Sequence, residues 1–117
     1  MKQQATRTDR IETTTAKDFS HRVLKAEGPI AVEFMSYSCA YCQALEPVLQ
    51  QVTAELGDRV RILRVNIAVD PELAAGYRIL ATPTLVMFLN GSAIGRVEGP
   101  HPEYPSLLAA ITEPFQS

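Results

Sequence analysis

Apolar residues change their spacing along this chain in a way that marks off its elements one by one. Phe19, Val23, Leu24 and Ala26 line one face of a short helix that starts near Ala16 and that Gly28-Pro29 brings to an end. The run that follows, IAVEFM at 30–35, is almost continuously apolar, as in a central strand covered on both faces, and only Glu33 interrupts it. Ala44, Leu45, Val48, Leu49, Val52 and Leu56 then recur three and four residues apart, predicting a helix from Cys39 to Leu56 with Gly57 as its stop. Pro47 falls inside that helix, where it supplies no amide and should kink it. VRILRVNI at 60–67 reads as a second strand, and Asp70-Pro71-Glu72 opens a short helix through Tyr77 with Asp70 as its cap. TLVMFL at 84–89 is another strand, which Asn90-Gly91 turns back on Ala93–Glu98 as a hairpin. Beyond Gly99-Pro100, the residues Tyr104, Leu107, Leu108 and Ile111 mark a closing helix. IETTT at 11–15 suits a short edge strand, and residues 1–10, polar and without period, suit a flexible tail.

Strands alternating with helices and ending in a hairpin imply a single α/β domain over 11–117, with a mixed sheet sandwiched by helices. Ligands and chemistry in such sheets favour the carboxyl ends of the parallel strands, and the two cysteines, Cys39 and Cys42, stand at one of those ends.

The length, 117 residues with 46% hydrophobic, is enough for one core without a disulfide framework. A bridge between residues three apart closes too small a loop to staple a fold, so the cysteine pair points to chemistry. A net charge of -2 without a basic block argues against a nucleic-acid partner, and no apolar run reaches the length of a membrane span. The N-terminal stretch MKQQATRTDRIETTT lacks the apolar segment of a signal peptide, so a cytoplasmic location is expected.

Cys39-Ala40-Tyr41-Cys42 lies where the buried strand gives way to the long helix. Unpaired amides and the positive end of the helix dipole favour an anion there, so the Cys39 thiolate is expected to be stabilised and nucleophilic. Cys42, one turn on and facing inward, is placed to resolve a mixed disulfide formed at Cys39. Two readings without redox chemistry compete with this one. The cysteines could be buried structural residues, or zinc ligands with His21 and His101, although those histidines stand alone in sequence.

Several features in order resemble the thioredoxin family from about residue 16 to 113: an acid in the strand before the CxxC, the CxxC itself, Pro47 in the following helix, Thr82-Pro83-Thr84 entering the next strand, and Gly99 after the hairpin. The resemblance implies a thioredoxin fold, with about five strands and about four helices. It also implies a thiol–disulfide oxidoreductase that reduces disulfides in partner proteins, with Cys39 as nucleophile, Cys42 as resolving thiol and Glu33 as proton-transfer residue. Thr82-Pro83 corresponds to the family's cis-proline turn, which pairs with an extended substrate segment. Tyr37, Tyr41 and Gly99 are the further substrate-contact candidates, and Ala40 and Arg64 the supporting ones. No bound cofactor or metal is implied beyond the redox-active Cys39–Cys42 disulfide. The expected partners are disulfide-containing protein clients and a separate reductase or thiol pool, and the molecule is expected to act as a monomer.

The departures from the family concern tuning. Glu33 stands for the usual aspartate and Arg64 for the usual lysine; arginine keeps its proton, so a close Glu33–Arg64 pair would hold Glu33 ionised against the upward push of burial. Tryptophan is absent and Ala40-Tyr41 replaces Gly-Pro, which keeps open a client-binding or chaperone-like module that uses its cysteines little, and, with a removed leader, an oxidase or isomerase.

Overall fold

The computed structural model describes residues 9–116 and runs β1 (Glu12–Thr13), α1 (Ala16–Phe19), β2 (Pro29–Met35), α2 (Ala40–Leu56), β3 (Arg61–Asn66), α3 (Pro71–Gly76), β4 (Thr84–Leu89), β5 (Ser92–Glu98) and α4 (Tyr104–Thr112). The order of elements is the one the periodicity predicts, and the differences lie at their ends. α1 lasts one turn and continues as a π-helical stretch over Ser20–Leu24, where the Lys25 amide bonds the Ser20 carbonyl five residues back at 2.9 Å. α2 begins at Ala40 with Cys39 as its cap, whereas the Asp70 side chain makes no capping bond at α3, which ends at Gly76. A short 3₁₀ turn, Glu113–Phe115, follows α4 without any signal in the apolar spacing. Residues 1–8 of the expected tail lie outside the described residues. Its last two are not loose: the Asp9 carboxylate accepts from Gln50 at 2.8 Å and the Arg10 amide donates to Gln50 at 3.1 Å, which ties them to α2.

The sheet has the order β1-β3-β2-β4-β5, with β1, β3 and β2 parallel and β4 and β5 antiparallel. β2 is central and buried on both faces. Ile30, Val32 and Phe34 join Leu63, Val65, Val86 and Phe88 beneath Phe19, Val23, Ala74 and Tyr77. Ala31 joins Ile62, Leu85 and Met87 on the opposite face, beneath Leu45, Leu49 and Val52 of α2 and Leu107 and Ile111 of α4. Alternation along a strand therefore puts Glu33 on the α2 and α4 side, and the parallel register sets it directly beside Arg64 on that face. Among the described residues, Glu33 and Arg64 are the buried charged ones.

The hairpin turn is built as its sequence requires. Asn90 and Gly91 both have positive φ (51° and 85°), as in a type I′ turn, and a Cβ on Gly91 would lie 2.1 Å from the Leu24 carbonyl oxygen. Among the described residues no helix is long and apolar enough to cross a membrane.

Candidate active site

The carboxyl end of β2 leads through Ser36–Ser38 into α2, and this junction shapes the dithiol. Cys39 is extended (φ -86°, ψ 115°), so its side chain folds back over the helix end and Sγ accepts the Cys42 amide at 3.1 Å. The capping position normally filled by a Ser or Asp oxygen is here filled by sulfur. Cys39 is half-buried and Cys42 buried, and both are free thiols. Burial would push the Cys39 thiol up, but hydrogen bonds from the Cys42 thiol, the Thr82 side chain and the amides of Cys42 and Tyr41 outweigh it and hold the pKa below the ordinary cysteine range. Cys42 is pushed up to about 12, by burial first and then by its hydrogen bond to Cys39. The two thiols are thus split in the sense that favours the thiolate at Cys39 and the protonated thiol at Cys42.

The loop before β4 lies against Cys39. The Thr82–Pro83 peptide is cis, and the Thr82 carbonyl oxygen is 3.6 Å from Cys39 Sγ. The Pro83 carbonyl accepts from the Gly99 amide at 2.8 Å, which joins this loop to the end of the hairpin. Tyr41 makes a third link: its hydroxyl lies 3.2 Å from the Gly99 carbonyl and 3.0 Å from that of Pro100. Tyr41, still 42% exposed, thus ties the start of α2 to this loop. Tyr37 is exposed, and its carbonyl accepts from the Gln43 side chain at 2.7 Å. Ala40, exposed, opens the first turn of α2. Sequence reasoning passed over Leu80, two residues before Thr82, which is 88% exposed, and Val69 in the loop after β3, which is 64% exposed; exposure of apolar residues in loops leaves no periodic trace.

Glu33 and Arg64 sit side by side at ion-pair distance but share no hydrogen bond. Arg64 Nε is 4.0 Å from Glu33 Oε1, neither Glu33 oxygen has a hydrogen-bond partner among the described residues, and Arg64 Nε has none either. The guanidinium turns its Nη atoms elsewhere, to Glu46 at 2.6 Å and to Asp9 and the Ile11 carbonyl at 3.3 Å each. Gln50 holds both acids, at 2.9 Å for Glu46 and 2.8 Å for Asp9. The hydrogen-bonded pair that would hold Glu33 ionised is therefore not formed. Burial, followed by the negative charge of Glu46, raises the Glu33 carboxyl from 4.5 to about 7, and Arg64 only partly opposes this. Cys42, Glu46, Arg64 and Asp9 line a cleft of about 200 Å³ next to this cluster.

His21 is exposed, and His101 is exposed with Glu103 3.6 Å away. Among the described residues no group of three or more His, Cys, Asp or Glu side chains is placed to hold a metal ion.

A family model described as Thioredoxin matches residues 10–113. Thioredoxin C-2 of Corynebacterium nephridii is 35% identical over 103 residues, covering 88% of this chain and 94% of that protein. The thioredoxin of Rickettsia bellii is 35% identical over 77 residues, covering 66% of this chain and 73% of that one. A protein of Mycobacterium leprae named bifunctional thioredoxin reductase/thioredoxin is 28% identical over 89 residues, covering 76% of this chain and 19% of that protein.

Proposed function

We propose, from the premise that this chain belongs to the thioredoxin family and is a thiol–disulfide oxidoreductase, a division of labour among its residues. That family acts on disulfide substrates with a reductase as partner, and it uses its own cysteine pair rather than a bound cofactor. Kinship does not favour a client-binding module that leaves its cysteines idle.

Cys39 attacks a substrate disulfide as the thiolate. Its sulfur bonds to one substrate sulfur, the substrate S–S bond breaks, and the other substrate sulfur leaves as a thiolate that takes a proton from solvent. Once Cys39 carries the substrate it is no longer an anion, and two effects of that charge vanish together: it had raised the pKa of Cys42 and that of Glu33. Cys42 then gives up its proton more readily. Glu33, in its carboxylate form, takes that proton, directly or across one water. The Cys42 thiolate attacks Cys39 Sγ, the mixed disulfide breaks, and the second substrate sulfur leaves as a thiolate, to which Glu33 or solvent returns a proton. The substrate gains two electrons and the pair ends as the Cys39–Cys42 disulfide, which a reductase restores; the Mycobacterium leprae relative, named for both activities, supports a reductase of that kind as the electron source.

For the substrate we assign disulfide-bearing proteins, met by a monomer. Thr82 and Pro83 beside Cys39 would pair with an extended segment, Gly99 would border it, Tyr37 would supply apolar surface, and Tyr41 and Ala40 would support the loop and the helix end. Disulfide reduction suits a reducing compartment such as the cytoplasm.

The observation that carries this reading is the Cys39 sulfur on the helix cap, half-exposed and held below the ordinary thiol range. Reduction of insulin disulfides, driven by dithiothreitol, tests it: Cys39→Ser should abolish turnover and Cys42→Ala should trap a mixed disulfide. Turnover that survives Cys39→Ser would overturn the assignment. Glu33→Gln should slow resolution and flatten its pH profile, and an unchanged rate and profile would remove Glu33 from the scheme.

A further inference from the structure

Arg64 lies beside Glu33, and two acids outside the dithiol hold its guanidinium. Its guanidinium is a planar fork, so once both Nη atoms are engaged the direction of Nε–H is fixed. Glu46 takes Nη2 at 2.6 Å, while Asp9 and the Ile11 carbonyl take Nη1 at 3.3 Å. Nε–H is left facing Glu33 at 4.0 Å without a hydrogen bond. Gln50, one helical turn after Glu46, clasps both acids and completes the hold. Glu46 and Asp9 are the outer members of the group, partly exposed, and Glu33 is fully buried.

We propose that Glu46, assisted by Asp9, is a positioning residue for disulfide exchange: it draws the Arg64 guanidinium to the solvent side and leaves the Glu33 carboxyl without a hydrogen bond and free to exchange a proton with Cys42. This rests on the role of Glu33 argued above. The charges that act on Glu33 are those of Arg64 from β3, Glu46 from α2 and Cys39 at the start of α2; Cys42 on α2 is the thiol of the proposed proton exchange, and the β4 partner of Glu33, Leu85, is apolar. Glu46 acts in two ways of the same sign. Its own charge disfavours a second carboxylate nearby, and its grip on Arg64 withholds the cation that would favour one.

The test uses the full chain in its reduced form, with the Glu33 carboxyl titrated by carbon-13 NMR and the resolving step followed against pH by rapid quenching. Glu46→Gln keeps the shape of a partly exposed side chain and removes its charge. The midpoint of Glu33 should fall by about one pH unit or more, the order of effect of a guanidinium released toward a carboxyl. The rising limb of the resolving-step profile should move down with it. In an Arg64→Gln background, Glu46→Gln should move the midpoint by less than half as much, because only its direct charge remains. An unmoved midpoint, or an equal shift with and without Arg64, overturns the positioning role while leaving Glu33 as proton carrier. A midpoint that moves while the rate profile stays still overturns the role of Glu33 itself, and the positioning role falls with it.

Discussion

Neutralising Glu33 should make the protein more resistant to unfolding as the pH rises, by an amount its burial sets. The carboxyl rises from 4.5 to about 7 on folding because the fold removes it from water and offers it no hydrogen bond. At about 1.4 kcal/mol per pH unit, that rise corresponds to about 3 kcal/mol. The sign follows from which state holds the proton. Below pH 4.5 Glu33 is protonated in both states and exacts no charge penalty. Between 4.5 and 7 the unfolded chain releases the proton and the folded chain keeps it, so stability falls with pH, and above 7 the full loss is present. Glu33→Gln has no such dependence. The unfolding free energy of the variant minus that of the wild type should therefore climb by about 3 kcal/mol from pH 4 to pH 8.5, most of it between 4.5 and 7. Titrating groups that do not interact with Glu33 cancel in this climb, and so does any fixed cost of the amide. Urea titrations of the reduced proteins, followed by far-ultraviolet circular dichroism, read it as a relative shift of about 2 M in midpoint for a slope near ~1.5 kcal/mol/M. A difference that stays flat across this range would mean that Arg64 neutralises Glu33 after all, and the reasoning from its unmade hydrogen bonds would fail.

Two further outcomes are expected. Alkylation of Cys39 by iodoacetamide should reach half-rate at a pH below the ~8.5 of a free cysteine, and Cys42→Ala should move that midpoint up because it removes a thiol donor. Tyr41→Phe should cost about 0.5–1.5 kcal/mol in urea unfolding and speed hydrogen exchange at the Gly99 amide, since the hydroxyl ties Gly99 and Pro100 to α2; an unchanged exchange rate would remove the tether.

What the sequence made legible was what short-range pattern encodes. The run around Glu33 and the three-and-four spacing after Cys42 place β2 and α2, and their junction places the cysteines at a helix end before any coordinate is known. Asn90-Gly91 likewise marks the hairpin through a conformation few other residues adopt. The allegiance of Arg64 was not legible. Adjacency to Glu33 follows from strand register, but the preferred partners are 18 residues away on a helix face and 55 residues away in a segment that composition assigns to a tail. No local signal ranks three carboxylates competing for one guanidinium; only their reach and exposure in the folded chain do. The link from Tyr41 to Gly99 and Pro100 was hidden for the same reason, because it spans 58 and 59 residues and depends on a rotamer. Asp70 shows the opposite case, a residue of capping type before a helix-starting proline whose side chain makes no cap.

The sulfur that closes the first turn of α2 is also the sulfur that, in the proposed exchange, bonds the substrate. An anionic thiolate is a good acceptor for the Cys42 amide, while a sulfur bonded into a disulfide is a poor one, so in the proposed exchange capture of substrate would unlatch the end of the helix. The forfeited cap is worth about 1 kcal/mol, enough to fray the turn that carries Cys42 without disturbing the core beneath it. In that scheme Cys42 would be loosened only while a mixed disulfide awaits it. The end of one helix thus keeps time for the exchange.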